Sequence, residues 1–117
     1  MIPQAVYAQW EAPDEADNLG NPLEHIDEVI EKGQQIYTNQ CAMCHGDNGK
    51  GDGPAGIMLK PSPGDLTSVE FHEQSDGAIF WKTREGRGAM PGYKNTLDEE
   101  EMWSIVHFIR TLSEEAE

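Results

Sequence analysis

A chain of 117 residues suits one domain and is too short for a large apolar core, so an added staple such as an enclosed cofactor is expected to complete it. A formal net charge of −14, from 22 acidic against 8 basic side chains, excludes nucleic acid as a partner. Two cysteines exclude a disulfide scaffold, and no run of about eighteen apolar residues supplies a transmembrane helix.

The N-terminus, MIPQAVYAQW, lacks the basic start and apolar stretch of a secretory signal. Val6 and Ala8 are compatible with the remnant of a cleavage site, but the preferred reading is a mature or truncated chain with a start Met. Residues 1–24 read as an acidic arm, extended or wrapping, with disorder as the alternative. Pro3, Pro13 and Pro22 interrupt it, and Trp10, Leu19 and Leu23 are its candidate pins to a body formed by residues 25–117.

From Ile26 the apolar positions Ile26, Val29, Ile30, Ile36 and Tyr37 take helical spacing, which predicts a helix ending near Cys41. Gly33 lowers the stability of that helix and so calls for a close crossing by another. Residues 46–64 hold six Gly and three Pro and predict a loop with no long element. Asp76 is the expected N-cap of a short helix over Gly77–Glu85, stopped by Gly86 and Gly88. In the last helix Asp98 and Glu101 resemble a capping box, and Met102, Ile105, Val106, Ile109 and Leu112 form a stripe widened by Trp103 and Phe108. The expected architecture is all-α, three main helices with loops long enough to require something large between them.

The chemistry is carried by Cys41-Ala42-Met43-Cys44-His45. Two thiols at this spacing can add to the two vinyl groups of one haem, while the adjacent imidazole ligates iron. Three other readings compete for the pentapeptide: a redox dithiol, which needs a βαβ context, a zinc site, which needs a fourth ligand from His25, His72 or His107, and chance occurrence. The all-α pattern favours haem c. For the sixth ligand, Met90 lies in an unperiodic Gly88-Ala89-Met90-Pro91-Gly92 loop, whereas Met102 belongs to the helix stripe and Met43 and Met58 lie too near His45 in sequence. A thioether there favours ferrous iron and raises the potential. His72 is the leading substitute.

In their order, Gly33 and Tyr37, the attachment motif, Gly53-Pro54, Met90-Pro91 and the aromatic C-terminal helix resemble the class I cytochromes c over Ile26–Leu112. The resemblance implies the class I fold wrapped around one covalent haem, with the first and last helices crossing at Gly33 and Tyr37 near Ile105 and Phe108. It also implies that the Pro54 carbonyl accepts a hydrogen bond from the far ring nitrogen of His45, making the imidazole a stronger donor. Asp52-Gly53-Pro54, the segment from Pro61 to Leu66 and Asp76-Gly77-Ala78-Ile79-Phe80 look like bacterial single-haem cytochromes of respiratory complexes. Trp81, Arg84, Arg87 and Tyr93, all near Met90, are the candidate donors to the haem propionates.

The expected function is therefore one-electron transfer rather than catalysis, with His45 and Met90 as iron ligands and redox proteins as partners. A quinol-oxidising complex or a haem-copper oxidase is the expected membrane partner. The rivals are a haem enzyme or gas sensor with a labile sixth ligand, and a non-diffusing domain of a larger complex. Thioether attachment occurs outside the reducing cytosol, which points to a bacterial periplasm, and the isolated chain is expected to be monomeric. Lys82, Arg84, Arg87 and Lys94 form a locally basic segment expected to surround the haem edge and meet an acidic partner.

Overall fold

The structure is a computed structural model that describes residues 10–60 and 63–113. Val6 and Ala8 of the cleavage-site reading, and Pro61 and Ser62 of the loop motif, lie outside the described residues. The described residues form five helices and no strand: α1 (Asp27–Gln40), α2 (Ala42–His45), α3 (Val69–His72), α4 (Asp76–Glu85) and α5 (Glu99–Arg110). The expected all-α architecture is the one present, with two four-residue helices added to the three expected long ones.

α1 crosses α5 at Gly33, where a Cβ would stand 2.0 Å from the Ser104 carbonyl oxygen and 3.0 Å from Phe108 Cβ. The absent side chain lets the two backbones approach, and Tyr37, one turn on, packs its ring on Phe108 at 5.1 Å between centroids. α5 begins in a full capping box: Asp98 Oδ1 accepts from Glu101 N at 2.8 Å, and Glu101 Oε1 accepts from Asp98 N at 2.8 Å. Residues 102–109 are buried without interruption, so α5 is a central helix rather than one with a single apolar stripe.

The arm explains that extra burial. Leu19 and Leu23 pack against the core, Asn21 Nδ2 donates to the Trp103 carbonyl at 3.2 Å, and His107 Nε2 donates to the Leu23 carbonyl at 2.8 Å. His107 Nδ1 lies 2.8 Å from His25 Nδ1, so the two rings share a hydrogen bond. Further back, a 3-10 turn over Asp14–Asn18 presses on the start of α4, where a Cβ at Gly77 would stand 2.0 Å from the Ala16 carbonyl oxygen.

The cap of α4 is Ser75, whose Oγ accepts from Ala78 N at 3.0 Å; this corrects the assignment to Asp76. Asp76 is instead the first helical residue, and its carboxylate accepts from Arg110 Nε at 2.7 Å. The same guanidinium donates to the Gln74 and His72 carbonyls at 2.8 and 3.2 Å. One partly buried cation thus ties the end of α5 to the α3–α4 connection. Arg110→Ala is expected to cost about 2 kcal/mol, less than the sum of its bonds because the pair is partly solvated. The measurement is a lower urea midpoint at unchanged slope.

Candidate functional site

Cys41 is the junction between α1 and α2: its amide donates to Tyr37 O at 2.8 Å, and its own carbonyl accepts from His45 N at 3.0 Å. α2 is a single turn, so its terminal carbonyls lack helical partners. The glycine-rich loop supplies them: Ala55 N donates to Met43 O at 2.9 Å, Gly53 N to Cys44 O at 3.1 Å and Gly51 N to His45 O at 2.8 Å. Two tyrosines bracket the motif. Tyr37 Oη donates to Gly46 O at 2.6 Å, just after His45, and Tyr93 Oη donates to Gln40 O at 2.9 Å, just before Cys41.

The motif opens on a cavity of about 1180 Å³ whose walls include Cys41, Cys44, His45, Met90, Arg87 and Tyr93. Ordinary small-molecule pockets run to about 300–1,000 Å³, so this space suits a large ligand. Both thiols are free. Burial pushes the Cys41 thiol up to about 12, with Cys44 adding to the effect. A redox dithiol sits in a βαβ context, and the described residues form no strand to supply it. Burial also lowers the His45 pKa, which keeps the imidazole in the neutral form that ligates metal.

The other histidines are committed elsewhere. His25 and His107 pair with each other, while His72 donates from Nε2 to Leu66 O at 2.6 Å and accepts at Nδ1 from Arg110 at 3.2 Å. Among the described residues no group of three or more His, Cys, Asp or Glu side chains could hold a metal ion, so a zinc site lacks its ligand set. Of the described methionines, Met43 and Met58 are 62% and 77% exposed and Met102 is buried in the core, while Met90 faces the cavity. Met90 closes a tight hairpin in which Arg87 N donates to Met90 O and Met90 N to Arg87 O, both at 2.9 Å. Gly88, at φ +58°, supplies the left-handed residue in the turn.

Three of the candidates, Trp81, Arg84 and Pro54, are not brought to the cavity. Ala78, Ile79 and Lys82 of α4 line it, and the helical repeat turns Trp81 off that face. Pro54 is exposed at the outer edge of the folded-back loop, and buried His45 Nδ1 has no hydrogen-bond partner. The bond implied from His45 to the Pro54 carbonyl is therefore not formed.

In the basic segment Arg87 and Lys94 are exposed, and its side chains also have partners within the molecule. Arg84 and Lys94 approach Glu85 at 2.9 and 3.5 Å, and Lys82 and Arg87 flank the Trp10 ring at 5.5 and 5.6 Å from its centroid. Trp10 lies in the cavity wall with them, a role that a single tryptophan in an aperiodic arm gives no local signal for.

The residues fit a haem: two free thiols and a neutral imidazole face one oversized cavity, with a thioether in its wall and Lys82 and Arg87 as the nearby cations. Residues 30–113 match the family model described as Cytochrome c. The chain is 31% identical over 80 residues to a cytochrome c6 of Bryopsis maxima, covering 68% of this chain and 88% of that one. It is 31% identical over 86 residues to the Cbb3-type cytochrome c oxidase subunit CcoP of Azospirillum brasilense, where 72% of this chain matches 28% of the relative. Among solved structures, a reducing HAO-like protein complex of Kuenenia stuttgartiensis superposes with a TM-score of 0.70 at 25% identity, over 94% of this chain and 54% of the other. The chain thus spans most of the cytochrome c6 and only about a quarter of the oxidase subunit.

Proposed function

The chain belongs to the cytochrome c family, carrying haem c through Cys41 and Cys44, and on that premise we propose that it is an electron-transfer protein with His45 and Met90 as the two axial ligands. The observation that carries this reading is selective placement: among the described residues, His45 is the histidine and Met90 the methionine that line the cavity. Bound haem supplies reversible one-electron chemistry at iron. The chain supplies everything else. Its neutral imidazole and soft thioether set donor strength, and Ile79, Leu66 and Ile109 give the cavity an apolar wall that disfavours the more highly charged oxidised state. With both positions filled, no substrate needs to reach the metal.

The respiratory-complex relative supports a role in a bacterial respiratory chain, passing electrons to or from a membrane complex on the periplasmic side. The chain's match to 28% of the CcoP subunit supports a second reading, a cytochrome domain working within a larger assembly. Visible spectra of the ferric and ferrous holoprotein test the ligand set. Low-spin spectra in both states, a far-red methionine band in the ferric state and no carbon monoxide binding are expected. A high-spin spectrum, or rapid carbon monoxide binding by the reduced protein, would replace the carrier with a haem enzyme or gas sensor.

A further inference from the structure

We propose that Tyr93 is a positioning residue, a latch that holds the Met90 hairpin to the end of the helix leading into the attachment motif; this rests on the reading of Met90 as an iron ligand. Tyr93 is 8% exposed and joins two elements. Its amide donates to Thr83 O on α4 at 3.0 Å, and its hydroxyl donates to Gln40 O on α1 at 2.9 Å. Gln40 is the last residue of α1, so its carbonyl is among those a helix cannot satisfy internally. The phenol satisfies it from the far side of the chain.

The link from this anchor to Met90 is short and stiff. Only Pro91, with its fixed φ, and Gly92 intervene. Gly92 is pressed on α4, where a Cβ would stand 2.5 Å from the Glu85 carbonyl oxygen. A displacement of Tyr93 is therefore passed to the thioether rather than absorbed by slack loop. Tyr37 is the natural comparison: its hydroxyl bond to Gly46 O, at 2.6 Å, holds the other end of the same motif but has no connection to the hairpin.

The latch predicts that losing the Tyr93 hydroxyl raises the fraction of molecules in which Met90 is released, without removing the haem or the ring packing. An exogenous ligand competing for that position binds in proportion to the released fraction. The test is imidazole titration of the ferric holoprotein, followed in the visible spectrum, for Tyr93→Phe, Tyr37→Phe and Met90→Ala. Tyr93→Phe should bind imidazole about two- to tenfold more tightly than the parent, the change in equilibrium that one net hydrogen bond produces. Tyr37→Phe should lower the urea midpoint yet leave imidazole affinity within about twofold. Equal tightening in both variants, no tightening in Tyr93→Phe, or loss of haem loading in Tyr93→Phe alone would overturn the latch. Met90→Ala separates the two claims: an unchanged parent-like spectrum there would overturn the ligand reading itself and the latch with it. A changed Met90→Ala spectrum beside an unmoved Tyr93→Phe would overturn the latch alone.

Discussion

Replacing Met90 with alanine should lower the reduction potential by roughly 0.2 V, a share of the about 0.8 V range that axial ligation spans, and should let the reduced protein bind carbon monoxide. A soft, uncharged thioether stabilises ferrous iron, whereas water or hydroxide in its place favours the ferric state. The fold around the substitution should survive. The hairpin is closed by reciprocal main-chain bonds between residues 87 and 90, which alanine can still make. No other described methionine lines the cavity, and His25, His72 and His107 are held in bonds elsewhere, so replacement from within requires breaking existing contacts. A redox titration followed at the visible bands reads the effect. A potential within about 60 mV of the parent, one tenfold step for a one-electron couple, would remove Met90 from the ligand set.

What local sequence could reveal divides along the range of the forces involved. The attachment motif, the capping box at Asp98 and Glu101 and the need for a crossing at Gly33 are each written within a few residues, and they are legible for that reason. The four-residue helices α2 and α3 are shorter than the window over which a helical period can be recognised, so they have no signature. Ser75 and Asp76 are both good caps; Arg110, distant in sequence, draws the Asp76 carboxylate and leaves the cap to Ser75. The basic segment from Lys82 to Lys94 has a clear compositional signal, but composition does not tell what faces it. Arg84 and Lys94 share the single carboxylate of Glu85, and Lys82 and Arg87 flank the uncharged Trp10 ring, partners that lie outside any local window of composition. Tyr93 is similar: proximity to Met90 marks it as part of the site, while the bond that defines its place reaches to Gln40 across the chain.

Gly33→Ala should destabilise the protein although alanine is the better helix former. The substitution gains about 1 kcal/mol of helix propensity. Against this, the new Cβ would stand 2.0 Å from the Ser104 carbonyl oxygen and 2.6 Å from its carbonyl carbon. Both are backbone atoms within the buried core of α5, so neither can swing aside as a flexible side chain would. Relief requires moving one helix away from the other, which loosens Tyr37 against Phe108. Overpacking of this kind costs about 3 kcal/mol or somewhat more. The net loss of about 2–3 kcal/mol corresponds to a midpoint roughly 10 °C lower on thermal unfolding of the holoprotein. Because Gln40, the last residue of α1, accepts from the Tyr93 hydroxyl just beyond the Met90 hairpin, separation at Gly33 should reach the haem site as well. The accompanying measurement is the ferric methionine band, which should weaken on warming before global unfolding in the variant and persist to the transition in the parent. An unchanged or raised midpoint would show that the helices can part at this crossing at little cost, and that the absence of a side chain at Gly33 is not what holds α1 against α5.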